Sequence, residues 1–101
     1  MTPTKITQQV DGQFEIKGEI NANTVPELWR AASSLINGAN ADMVFDLHAV
    51  TRSDSAGLAL LVEWMRQARD KNVGIKFRNL PEQMMAIAKV SDLEEIIPLA
   101  D

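Results

Sequence analysis

Between Met43 and Leu61 the chain changes its period, and that change constrains everything around it. Met43-Val44-Phe45-Asp46-Leu47 is a short, mostly apolar run, too short for a helix and suited to a buried strand. Thr51-Arg52-Ser53-Asp54-Ser55 is polar. From Leu58 the apolar residues return at helical spacing, at Leu58, Leu61, Val62 and Met65. The pattern predicts a strand over 43–47 that feeds a helix over about 55–70 through a short polar loop. The first amides of such a helix lack intrahelical partners, so Asp54 or Ser53 suits the N-cap. The same amides and the helix dipole favour negative charge, which makes an exposed Ser55 hydroxyl a point of contact or modification. By spacing alone Ser55 is first of all an ordinary first-turn residue, because Ser is common there.

The flanking segments support an α/β chain. Residues 5–10 and 13–17 read as two strands around Asp11-Gly12, a strong turn signal. A two-residue turn puts Val10 opposite Gln13. A three-residue loop, Asp11 to Gln13, puts Val10 and Phe14 on one face, and burial prefers it. Gly18 to Asn23 reads as a loop. Thr24 is an N-cap candidate, with Pro26 in the first turn of a helix that runs to Ile36 and stops at Asn37-Gly38. Val25, Leu28, Trp29, Ala32, Leu35 and Ile36 span about a third of its circumference and form the predicted buried face, with Ser33 outside it. Asn72 ends the second helix. Val73, Ile75 and Phe77 alternate with polar or small residues as a half-buried strand. Pro81 opens a third helix with Met84, Ile87, Ala88 and Val90, and Leu93, Ile96 and Ile97 suggest a last helical turn before Pro98. The predicted order is β-β-α-β-α-β-α-α. Strands separated by helices imply parallel neighbours, and the opening hairpin adds an antiparallel pair.

Composition removes several function classes. The 101 residues suffice for one domain, 1–101, with its own core. A net charge of −4 without a basic block argues against nucleic acid and against electrostatic docking on anionic lipid. The chain has no cysteine, hence no disulfide frame and no thiolate metal site. The start predicts no signal peptide, and no apolar run reaches membrane-spanning length.

Candidate functional residues are few. His48 is the only histidine and has no second His at metal spacing. No Ser/His/Asp set, phosphate-binding glycine loop or paired carboxylate site can be assembled, and Ser55 has no base in its local sequence. Gly57 costs about 1 kcal/mol against Ala in a helix. It implies close packing against a neighbouring loop or room for a partner's backbone. Leu60 and Trp64 widen the apolar arc of the second helix to about half its circumference. Either a neighbouring helix covers them or they form a partner-binding patch.

Asp46-Leu47-x-x-Val50-x-x-x-Asp54-Ser55-x-Gly57-Leu58 resembles the signature of STAS domains, the family of bacterial anti-sigma-factor antagonists. The Ser after the Asp is a regulatory phosphorylation site in that family, a role the resemblance places on Ser55. Three separated stretches are similar to the MlaB-type branch. They are Gly18-Glu19-Ile20 with Leu28-Trp29, Gly57-Leu58-Ala59-Leu60-Leu61, and the tail Ala88 to Pro98. Members of that branch are subunits of an ABC transporter that moves phospholipid between the two membranes of Gram-negative bacteria. The resemblance implies the STAS fold, a mixed sheet of about four strands with helices packed mainly on one face. It also implies a non-catalytic subunit without cofactor or metal. Its expected partner is the transporter's cytoplasmic ATPase subunit, through which it sits at the inner membrane. The expected contacts are Asp54, Ser55, Ala56 and Gly57 at the helix start, Leu60 and Trp64 on adjacent helix surface, and Asn21. Many STAS proteins carry Asp where this chain has Asn21, which weakens a kinase-linked reading and leaves hydrogen bonding to a partner. The second reading is a partner-switching anti-sigma-factor antagonist, in which phosphorylation of Ser55 releases a kinase.

Overall fold

The computed structural model describes residues 4–10 and 12–100. Its elements are β1 (Lys5–Val10), β2 (Gln13–Ile20), α1 (Val25–Asn37), β3 (Met43–Ser53), α2 (Ser55–Asp70), β4 (Ile75–Arg78) and α3 (Glu82–Val90). The sheet order is β1-β2-β3-β4, antiparallel at β1/β2 and parallel at β2/β3 and β3/β4. Two successive right-handed crossovers that step across the sheet in one direction place α1 and α2 on the same face. Phe14, Ile16, Phe45, Leu47, Ile75 and Phe77 fill the space beneath the helices. Glu15, Asp46 and His48 alternate with them onto the helix-free face. This is the expected mixed four-stranded architecture.

The hairpin departs from the preferred parity. Asp11 lies outside the described residues, and Gly12 adopts φ +77°. Val10 pairs with Gln13, as in the two-residue turn, and is 59% exposed. An irregularity between Gln8 and Val10 then shifts the register, so that Gln8 pairs with Phe14 and Ile6 with Ile16. The bulge returns Ile6 to the core face at the cost of exposing Val10.

Two segments expected as loops are strand. Gly18, Glu19 and Ile20 complete β2, and β3 continues through Thr51, Arg52 and Ser53 because Gly18 pairs with Val50, Glu19 with Arg52 and Ile20 with Ser53. Gly18 has φ +104°, and a Cβ there would lie 2.8 Å from Thr4 Cα. Only glycine fits both the conformation and the space. Asp54 alone separates β3 from α2.

α2 is the middle helix and packs against both α1 and α3. This corrects the surface expectation for Leu60 and Trp64, which are buried at 2% and 0% exposure. A helix flanked on both sides needs a wide apolar arc, so the neighbour-helix alternative holds. Trp64 meets Phe45 edge-to-face at 5.4 Å, and Phe45 meets Phe14 at 5.5 Å and Phe77 at 6.1 Å. Such pairs contribute about 0.5–1.5 kcal/mol beyond their buried area.

On α1 the buried row is Leu28, Ala32 and Ile36, with Ser33 buried beside it. Trp29, one turn earlier on the Ser33 ridge, is 41% exposed rather than core. Val90 is likewise exposed. The segment after α3 forms turns, with Asp92 at φ +58° and Ile96 N donating to Leu93 O, instead of a helix. Pro98 disfavours helical backbone at Ile97 and cuts the segment short. Phe77 N then donates to Pro98 O and Ala100 N to Phe77 O, which covers part of the outer edge of β4. No helix among the described residues is long and apolar enough to cross a membrane.

Candidate functional site

The C-terminal ends of β2 and β3, the start of α2 and the start of α3 converge at one pole. There Glu19, Ile20, Asn21, Arg52, Ser53, Asp54 and Gln83 line a shallow cleft of about 110 Å³. Asp54 is the N-cap of α2. Its backbone is extended, and its carboxylate accepts from Ala56 N at 2.9 Å while its carbonyl accepts from Gly57 N at 3.0 Å. Asp54 N donates to Ile20 O at 3.4 Å, which ties the helix start to the end of β2. Ser55 follows as the first helical residue and is exposed. Among the described residues its hydroxyl makes no hydrogen bond, so it faces outward with both donor and acceptor capacity intact. Ala56 is half-buried beside it.

Gly57 sets the height at which Ser55 stands. A Cβ on Gly57 would overlap Ser53 Oγ and come within 3.1 Å of Ile20 Cγ2 and of Met84 Cε. The missing side chain lets the start of α2 settle onto β2, β3 and α3. Gly57 is buried, and its space is occupied by this chain's own side chains rather than left for a partner. That corrects its place among the contact residues.

Asn21 also has work within the fold. Its Oδ1 accepts from Asn23 N at 2.8 Å and Thr24 N at 3.2 Å, and its N donates to Thr24 Oγ1 at 2.9 Å. Thr24 Oγ1 donates in turn to Glu19 O. This Asx turn orders the segment that leads into α1, and Thr24, the expected N-cap, stands at the cap position without a side-chain hydrogen bond to the helix amides. Asn21 remains half-exposed on the cleft that Asp54 lines.

Two residues of the cleft escape a sequence reading. Gln83 Oε1 accepts from Ser53 N at 3.3 Å, linking α3 to the end of β3 across thirty positions. Arg52, exposed, is the one cationic side chain lining the cleft among the described residues. No local pattern marks either one, because only the crossover topology brings α3 beside β3.

His48 stands apart, on the helix-free sheet face, 3.4 Å from Glu15 and 3.1 Å from Asp46. Burial pushes the Asp46 carboxyl up, but hydrogen bonds from the His48 amide, Asn79 and the His48 ring outweigh it and hold the group below its ordinary range. No group of three metal-ligating side chains occurs among the described residues.

A family model described as MlaB, STAS domain, matches residues 6–99. The chain belongs to the STAS domain family. No curated protein matches it. Among solved structures, a chain of the Acinetobacter MlaFEDB complex in an ATP-bound conformation is 26% identical, with TM-score 0.79, over 93% of this chain and 99% of that one. An anti-sigma factor antagonist from Mycobacterium paratuberculosis is 25% identical, with TM-score 0.76, over 95% and 82%. The Bacillus cell fate determinant SpoIIAA in its phosphorylated form shares the fold at 19% identity and TM-score 0.70, over 97% and 91%. The STAS fold is thus common to a chain of the MlaFEDB complex and to anti-sigma-factor antagonists.

Proposed function

We infer that this STAS chain is a non-catalytic subunit that binds the cytoplasmic ATPase of a phospholipid-transporting ABC complex and supports its assembly or activity. The observation that carries this reading is the match of the MlaB-type family model over residues 6–99. The likeness to a chain of the ATP-bound MlaFEDB complex, over 99% of that chain's length, supports it. The chain would sit at the inner membrane through this partner.

The pole around Ser55 supplies a suitable contact. Ser55 protrudes at a helix start whose cap is already made by Asp54, so its hydroxyl can donate to and accept from a partner without loosening α2. Ala56 and exposed Ala59 keep the neighbouring surface low, which permits close approach. Asn21, Arg52 and Gln83 add polar groups around it. Leu60, Trp64 and Gly57 contribute from beneath, by holding α2 in place.

The second reading, a partner-switching antagonist, draws on the 25% identity with the mycobacterial antagonist and on the exposed Ser55. Affinity purification of the tagged chain from its own cells separates the two. The expected result is co-purification of an ABC ATPase with its permease. Recovery of a serine kinase without an ATPase would overturn the transporter reading.

A further inference from the structure

The outer face of α2 continues away from Ser55 in a regular row. Ser55, Ala59, Val62, Arg66 and Arg69 are spaced by alternating steps of four and three, so they form one ridge about 21 Å long. At its far end the ridge opens into a groove of about 300 Å³ lined by Val62, Met65, Arg66, Arg69 and Ile96. Its floor is apolar. Val62 and Met65 are only half-buried, and Ile96 is 54% exposed although its neighbour Ile97 is core. The turn in which Ile96 N donates to Leu93 O holds that side chain out over α2. Its charged lining residues are both arginines, in a chain whose net charge is −4. Arg66 is paired with Glu63 at 2.6 Å, while Arg69 makes no ion pair among the described residues.

We propose that this groove receives an acidic amphipathic helix of the ATPase partner, laid along α2 with its apolar side chains on Val62, Met65 and Ile96 and its carboxylates on Arg66 and Arg69. The proposal rests on the reading of the chain as an ATPase-binding subunit, and it names the chemistry of what is bound. An apolar strip of this shape takes residues at helical spacing, with Met65 adapting to them. Arg66 and Arg69 select carboxylates over basic or neutral helices and speed the encounter. The groove continues the Ser55 pole along the same ridge, so one partner can cover both.

The test is the affinity of the purified ATPase subunit for four forms of the chain: unaltered, Arg66→Glu/Arg69→Glu, Ile96→Ser, and Lys76→Glu as a charge reversal on β4. All the substituted residues are exposed, and melting curves are to be taken to check that each variant is folded. The arginine reversal is expected to weaken binding by about tenfold or more and to remove most of its decline as salt rises from about 0.05 to 0.5 M. Ile96→Ser is expected to weaken binding at every salt concentration, and Lys76→Glu to stay within about twofold. If the arginine and isoleucine variants bind as the unaltered chain does, or if Lys76→Glu loses as much, the groove proposal fails and the ATPase reading stands. If the unaltered chain does not bind the ATPase, both fail.

Discussion

Trp64→Ala is expected to lower the free energy of unfolding by about 3–5 kcal/mol. Trp64 is fully buried, packs edge-to-face on Phe45, and lies in the layer where α2 meets the sheet. Phe45 also carries Phe14 and Phe77, so removing the indole leaves a void beside the ring that joins β2, β3 and β4. Domains of this size have about 5–15 kcal/mol in total, so the loss is a large share of it. The melting temperature should fall by about 12 °C or more. Trp64→Phe should cost less. It keeps an aromatic ring against Phe45, and the buried indole Nε1 has no hydrogen-bond partner among the described residues, so its removal strands none of them. Urea and thermal unfolding of both variants measure this. A shift of only a few degrees for Trp64→Ala would show that the core does not depend on the Trp64–Phe45 contact.

The second large effect concerns binding rather than folding. Ser55→Glu should leave the melting temperature nearly unchanged. A negative charge at a helix start gains about 0.3–1 kcal/mol from the exposed amides and the dipole. Asp54 next to it opposes part of that gain. Affinity for the ATPase should fall by about 3–5 kcal/mol, more than a hundredfold in Kd, if the charge is buried without a partner in the contact. Ser55→Ala removes one hydrogen bond, about 0.5–1.5 kcal/mol, and Ser55→Thr keeps the hydroxyl, so both should bind within about tenfold. Binding titrations of the three variants, with melting curves alongside, test this. Unchanged affinity of Ser55→Glu, with stoichiometric phosphate on Ser55 in growing cells, would contradict the contact and favour partner switching.

The parts of this structure written in local periodicity are legible in the sequence. The change from strand to helix around Asp54, the cap that Asp54 provides and the β-α-β order all follow from neighbouring residues. Features that depend on distant partners are not. The polar stretch Thr51 to Ser53 becomes strand because β2 extends beside it, and Gly18 permits that extension by letting Thr4 approach. Val10 gives up burial so that a bulge can align Ile6 with Ile16. The wide apolar arc of α2 has two physical explanations, a second helix neighbour or a partner. Only the packing of α1 and α3 against it decides for the first. The same holds at the site. Asp54 and Ser55 announce themselves, whereas Gln83 and the Val62–Ile96 groove arise where α3 and the tail return to β3 and α2. The exposed apolar surface of α2 therefore lies on the Val62 and Met65 side, and not at Leu60 and Trp64.

The most direct measurement is a calorimetric titration of the purified chain into the purified ATPase subunit, without permease, lipid or nucleotide. Saturable binding at micromolar Kd or tighter, about −8 kcal/mol or more favourable, is the expected result. Absence of saturable binding to the ATPase, together with saturable binding to a serine kinase that phosphorylates Ser55, would contradict it.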